Sequence, residues 1–313
     1  MSLSLFGRSL LTLLDFTPEE IRYLLKLSEK LKNEAKRGKI KRRFEGKTLA
    51  MLFEKRSTRT RCAFETAFAE EGGHPVFLST ADIQLGGKES LEDTARVLGR
   101  MFSAIQFRGF KQETAETLAK YSNVPVYNGL TDLYHPTQAL ADILTLKENF
   151  GEVRERTLCY VGDGRNNVAT SLMIICAKLG INFTIITPDE LKPFGEIRNK
   201  IDSLAEKSGA VIAVTSDINA VKGADAVYTD VWVSMGEEEK KEDRVRLLKP
   251  YQVNQKLMDM TGKKETIFLH CLPAVKGEEV TADVIDGPQS KAWDQAENRK
   301  HTIKAVMAAT LIK

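Results

Sequence analysis

The chain has 313 residues, a length that implies about two domains with an ample core. Its 46 basic and 43 acidic residues leave a formal net charge of +3, too balanced for a nucleic-acid-binding surface. No apolar run reaches membrane-spanning length, and Cys62, Cys159, Cys176 and Cys271 form no CxxC pair, so the expectation is a cytosolic globular protein with reduced thiols, without a disulfide framework or zinc site.

The apolar N-terminus lacks a small-residue cleavage site and reads as the start of the fold. The densest basic stretch, residues 36–43, reads as a solvated helix end and loop. Thr48 to Phe53 (TLAMLF) is a buried strand, followed over residues 60–71 by a helix with Ala63, Phe64, Ala67 and Phe68 on one face. Between them lies Glu54 to Arg61, where Ser57, Thr58, Arg59, Thr60 and Arg61 crowd a helix N-terminus. Backbone N–H groups, the helix dipole, hydroxyls and guanidinium forks there suit an anion, although a solvated capped helix fits that segment equally well. A further helix follows Ser90, which with Asp93 forms a capping pair. Residues 104–107 form a strand that ends at Arg108-Gly109, and residues 124–127 form another. Pro136 suits the first turn of a long helix to about Phe150, with Gly151 as its stop. At its start His135 would meet the positive helix dipole, which disfavours protonation.

The alternation then restarts, with strands over residues 157–161, 183–186, 211–215, 226–229 and 266–269. Gly162 to Asn167 follows the first of these, Asp230 the fourth and His270-Cys271-Leu272-Pro273 the last. The loop over residues 236–246 is so charged that it reads as mobile and exposed. A last helix runs over about residues 289–312. Strand–helix alternation of this kind implies an α/β fold of two domains, each a parallel sheet flanked by helices and linked by two long helices. The boundaries expected are 1–150, with the C-terminal helix (about 289–313) packing back on it, and 151–288. In such sheets ligands bind beyond the carboxyl ends of strands, where these polar segments fall.

Taken together, Ser57-Thr58-Arg59-Thr60-Arg61, Phe107-Arg108-Gly109, His135-Pro136-Thr137-Gln138, Asp230-Val231-Trp232 with Ser234-Met235-Gly236, and His270-Cys271-Leu272-Pro273 resemble the ornithine carbamoyltransferase family. The match runs to Glu297-Asn298-Arg299, essentially the whole chain. The first and third motifs are shared with aspartate carbamoyltransferases, whereas the Ser-Met-Gly and His-Cys-Leu-Pro segments belong to the ornithine branch.

The resemblance implies that the first domain binds carbamoyl phosphate and the second ornithine. It assigns Ser57, Thr58, Arg59, Thr60 and Arg108 to the phosphate, and His135 and Gln138 to the carbamoyl oxygen and amide. Cys271, Leu272 and Arg299 complete that site, with Gln84 from a neighbouring subunit. Asn167, Asp230, Ser234 and Met235 hold ornithine. Arg108, His135, Cys271 and Asp230 are the catalytic candidates, Asp230 and Cys271 as groups that orient or deprotonate the amine. The resemblance also implies a homotrimer or a multiple of trimers, with no cofactor and no metal. His74, His135, His270 and His301 show no metal-ligand spacing. The alternatives are a carbamoyltransferase acting on putrescine or an N-acylornithine and, from another class, an NAD-dependent oxidoreductase. The last rests on Gly162-x-Gly164 after a strand and Asp189 after the next, but Asn167 stands where that fingerprint has its third glycine.

Overall fold

Strands that are apolar from end to end, such as Thr48–Phe53 and Thr157–Val161, belong between two layers of helix, and the structure uses them so. It is a computed structural model that describes residues 4–39, 41–79, 89–233, 239 and 241–313. By internal packing the chain divides into unit 1, residues 1–144 and 297–313, and unit 2, residues 145–296.

Among the described residues the strands, in chain order, are β1 (Thr48–Phe53), β2 (His74–Ser79), β3 (Ala104–Arg108), β4 (Val126–Leu130), β5 (Thr157–Val161), β6 (Asn182–Ile186), β7 (Ile212–Thr215), β8 (Ala226–Thr229) and β9 (Ile267–His270). The α-helices are α1 (Pro18–Lys36), α2 (Thr58–Ala69), α3 (Leu91–Met101), α4 (Gln112–Ser122), α5 (Pro136–Phe150), α6 (Asn167–Leu179), α7 (Glu196–Ser208), α8 (Lys241–Leu248), α9 (Gln255–Met260), α10 (Ala282–Ile285) and α11 (Ala292–Leu311).

Unit 1 carries a four-stranded parallel sheet in the order β2-β1-β3-β4. One face packs Leu52, Ile105, Phe107 and Val126 against Ala95 of α3 and Leu118 of α4, all buried. Burial of each such large side chain contributes about 1.5–3 kcal/mol. Because side chains alternate along a strand, Gln106 and Arg108 point to the opposite face. Phe64 of α2 stacks on Tyr127 of β4, with centroids 6.2 Å apart. The end of α11 belongs to this unit, where Thr310 Oγ1 lies 2.7 Å from the buried Tyr127 hydroxyl and Lys304 Nζ donates to Glu70 at 2.9 Å. Two helices that the sequence reading did not delimit, α1 and α4, complete the unit. Thr17 and Glu20 cap α1 reciprocally.

Unit 2 carries a five-stranded parallel sheet in the order β7-β6-β5-β8-β9. Its core joins Cys159, Val161, Val227 and Phe268 to Leu257, Val284 and Ala292. Helix α6 is buried from Val168 to Leu179 except at Thr170, starts at the N-cap Asn166 and stops at Gly180, whose φ of 77° suits glycine. No helix among the described residues is long and apolar enough to cross a membrane.

Candidate active site

The order of unit 1 reverses between β1 and β3, so the connections that leave their paired carboxyl ends run to opposite sides of the sheet, and the crevice in which parallel sheets bind ligands lies between those connections. Beyond β1 the chain turns into α2, whose N-cap Ser57 accepts from the backbone N–H of Thr60 at 3.1 Å. Thr58 is exposed, Ser57 and Arg59 are half-buried, and Thr60 is buried. At the end of β3, Arg108 Nη1 donates to Thr60 Oγ1 at 3.1 Å. Arg299 Nη2, from α11, donates to the same oxygen at 2.8 Å. Only 7% and 2% of these two arginines is exposed. Two buried cations on one neutral oxygen form a site that favours an anion, because little water screens them. A Cβ at Gly109 would lie 2.2 Å from Cζ of the fully buried Phe107 ring and 2.1 Å from a carboxylate oxygen of Glu54, so a larger residue there would displace both side chains.

His135 is buried where α5 begins, and Thr137 Oγ1 lies 3.4 Å from its Nδ1. Its pKa lies well below the usual 6.5, chiefly because burial disfavours the charged ring and then because Arg299, Arg108 and Arg59 repel a proton. A neutral imidazole here offers one N–H to a carbonyl oxygen. Gln138 sits in the first turn of α5, 1% exposed.

In unit 2 the order reverses between β5 and β8. Asp230 follows β8 at once and is 7% exposed. Its Oδ2 accepts from Asn166 Nδ2 at 2.9 Å, and its Oδ1 from Val231 N at 2.8 Å and Cys271 Sγ at 2.9 Å. Asn166 also caps α6 through its Oδ1. The neighbouring carboxylate, Asp163, accepts from Arg244 Nη1 at 2.7 Å. Of the expected exposed loop over residues 236–246, residues 236–238 and 240 lie outside the described residues; residues 241–246 are helical, as part of α8, and stay exposed at Lys241, Glu242, Asp243 and Arg246, while the Arg244 side chain is only 14% exposed. The Gly162-x-Gly164 turn has a packing cause as well. A Cβ on Gly164 would lie 2.9 Å from Ile185 Cγ2 and from the Leu191 carbonyl oxygen.

His270 ends β9 and is fully buried. Its Nδ1 accepts from Leu272 N at 2.8 Å, so its Nε2 carries the proton, 3.1 Å from Glu279 Oε1. Asp230, His270 and Cys271 form the one group among the described residues whose ligand atoms lie close enough to share a metal ion. Both ring nitrogens of His270 are engaged in hydrogen bonds, and so are both carboxylate oxygens of Asp230 and the Cys271 thiol. A surface cleft of unit 2 lined by Asn149, Arg156, Gln289 and Lys291 contains none of these residues.

Of the residues singled out from sequence, unit 1 therefore gathers Thr60, Arg108, His135 and Arg299, with Arg59 near enough to act on His135. Unit 2 gathers Asp230 and Cys271, and Leu272 adjoins them with a left-handed φ of 60°. Asn167 is the first residue of α6. Gln84, Ser234 and Met235 lie outside the described residues. Asn166, Arg244 and Glu279 are additions that the structure makes to the residues named from sequence. Asn166 carried a signal, since an asparagine directly before an apolar helix is a strong N-cap.

Comparison with known proteins bears on both units. Residues 8–148 match the family model for the aspartate/ornithine carbamoyltransferase carbamoyl-P binding domain, and residues 154–310 match that for the Asp/Orn binding domain. An ornithine carbamoyltransferase of Thermotoga maritima is 64% identical over 313 residues, 100% of both chains. One from Caldanaerobacter subterraneus subsp. tengcongensis is also 64% identical over 313 residues, again 100% of both. The solved structure of ornithine carbamoyltransferase from Pyrococcus furiosus superposes with a TM-score of 0.95 at 48% identity, covering 99% of this chain and 98% of that one.

Proposed function

This chain belongs to the aspartate/ornithine carbamoyltransferase family, and on that premise we propose that unit 1 holds carbamoyl phosphate and unit 2 holds ornithine. The reaction converts carbamoyl phosphate and L-ornithine into L-citrulline and phosphate. The observation that carries the site assignment is the convergence of buried Arg108 and Arg299 on Thr60, beside a His135 kept neutral.

In this reading Ser57, Thr58, Arg59, Thr60 and Arg108 bind the phosphate, helped by the N-terminus of α2. His135 donates its N–H to the carbamoyl oxygen, and Gln138 meets the carbamoyl amide. Asp230 receives the side-chain ammonium of ornithine, and Asn167, Ser234 and Met235 hold the rest of the acceptor. The uncharged amine attacks the carbamoyl carbon directly. Negative charge then grows on the carbonyl oxygen, where prearranged donors are worth most, about 3–4 kcal/mol for one such donor. The C–O bond to phosphate breaks next, the proton that the attacking nitrogen sheds after bond formation passes to the departing phosphate, and the arginines offset the charge of the resulting dianion. Asp230, with the Cys271 thiol on its Oδ1, orients the amine and accepts its proton. Cys271 and Leu272 also contact carbamoyl phosphate in this scheme, as does Gln84 from a neighbour. The assembly is a homotrimer or a multiple of trimers. The enzyme works in the cytoplasm, in keeping with four free cysteines.

Assay of the purified protein with carbamoyl phosphate and L-ornithine, putrescine, N-acetylornithine and L-aspartate in turn tests the reading. Citrulline formation at the highest kcat/KM is the expected result. A better rate with any other acceptor overturns the acceptor assignment.

A further inference from the structure

Helix α5 places Gln138 and Asp142 one turn apart on one face, with 1% and 0% of each residue exposed. Gln138 Nε2 donates to Asp142 Oδ1 at 2.8 Å. Asp142 Oδ1 accepts in this bond, whereas an amide donates through nitrogen and accepts through oxygen. The carboxylate therefore selects one of the two faces that the Gln138 amide could present. Nitrogen turns toward Asp142 and oxygen turns away from it. That oxygen, Oε1, is buried and has no hydrogen-bond partner among the described residues. A buried carbonyl oxygen held in this way awaits a donor from a ligand.

Carbamoyl phosphate has one group that donates, its NH2. Its phosphate and carbonyl oxygens are acceptors, and the groups gathered for them in unit 1 are donors: Arg108, Arg299, Thr60 and His135. We propose that Asp142 is a positioning residue that locks the Gln138 amide with Oε1 toward the carbamoyl NH2, and that this lock makes the site prefer carbamoyl phosphate to acyl phosphates. The proposal rests on the reading of unit 1 as the carbamoyl phosphate site. Acetyl phosphate presents a methyl group where carbamoyl phosphate presents NH2, so it leaves Oε1 without a donor. Without the lock the amide turns over, and its own NH2 then opposes the carbamoyl NH2, donor against donor. Asp142 touches neither substrate in this scheme and acts through Gln138 alone.

The test compares Asp142→Leu, which removes the acceptor and keeps the branched shape, with Asp142→Asn, which keeps an amide oxygen able to receive Gln138 Nε2. Carbamoyl phosphate KM and kcat are measured at saturating ornithine, together with the Ki of acetyl phosphate, the Kd of inorganic phosphate and the thermal unfolding of each variant. For Asp142→Leu the ratio of acetyl phosphate Ki to carbamoyl phosphate KM should fall by about 10–100-fold, since one buried polar group loses its match, while inorganic phosphate binding changes less than about two-fold. Asp142→Asn should recover part of that ratio. An unchanged ratio in folded Asp142→Leu overturns the proposal, and so does equal weakening of all three ligands. If Asp142→Leu does not fold, Asp142→Ala takes its place: a ratio lowered by about 10–100-fold supports the lock, and a ratio equal to that of the parent overturns it. Arg108→Ala separates the premise from the proposal. If that variant binds carbamoyl phosphate as the parent does, the assignment of unit 1 itself fails.

Discussion

Thr60→Val is the sharpest probe of the anion site, because it changes one hydroxyl for a methyl group of nearly the same volume. Thr60 Oγ1 accepts from Arg108 at 3.1 Å and from Arg299 at 2.8 Å, and all three residues are buried. A hydrogen bond to a charged group contributes about 1.5–3 kcal/mol, so two of them set a ceiling of about 3–6 kcal/mol. Both guanidinium groups have further N–H positions and some freedom to re-aim, which brings the expected loss of stability to about 2–4 kcal/mol. Urea unfolding measures it directly. The same change releases two arginines from their prearranged positions, so carbamoyl phosphate should bind about 10–30-fold more weakly in calorimetry, a cost of roughly 1.4–2 kcal/mol. Thr60→Ser keeps the hydroxyl, and its stability should stay within about 1 kcal/mol of the parent. The reasoning is refuted if Thr60→Val unfolds at the parental urea concentration and binds carbamoyl phosphate with parental affinity.

In unit 2, Asp230→Asn keeps the shape and an acceptor for Cys271 but removes the charge. The ornithine KM should rise by about 30–100-fold, with carbamoyl phosphate affinity within about two-fold, and equal loss of both would deny unit 2 a separate acceptor role. Subunit sharing is tested by mixing Arg108→Ala with Gln84→Ala plus Lys88→Ala, each nearly inactive alone. After dissociation and random reassembly about a quarter of the sites should be intact, and no return of activity after proven exchange would remove Gln84 from the site. Stability should also fall in acid. His301 is held at about 4 by burial, and His135 well below 6.5, so below pH 6.5 the unfolded chain binds protons that the folded chain refuses. Their contribution is complete above pH 6.5 and is lost as pH falls toward the folded values, and Glu297, held low beside His301, acts in the same sense. For His301 the loss at pH 5 is about 1–2 kcal/mol, and His301→Asn should flatten the slope of stability against pH by about one proton, a change absent if that ring titrates normally.

Much of the fold was legible because a strand covered on both faces must be apolar throughout, and runs such as TLAMLF and TLCYV satisfy little else. Helix starts were legible where a short side chain caps them, as Ser90 does for Asp93 N at 3.1 Å. The same signal announced α1, where Thr17, Pro18 and Glu20 form a capping box with a proline in the first turn, although the reading of the chain did not use it. Charge density reports composition, so it does not disclose the inward ion pair of Arg244. Its partner Asp163 lies 81 residues away.

The sequence by itself determined which residues are polar at strand ends, and hence nearly every member of the candidate site within the described residues. Only the tertiary structure decided how they combine. Periodicity states which face of an element is buried and is silent on which strands become neighbours, so the reversals between β1 and β3 and between β5 and β8, where the crevices open, had to come from the fold. It alone brings Arg299 to Thr60 across 239 positions and sets Asn166 on Asp230 across 64. His135 shows the limit most plainly. Its neutrality comes from burial and from three arginines gathered around it, and both depend on distances in space that no spacing along a chain encodes.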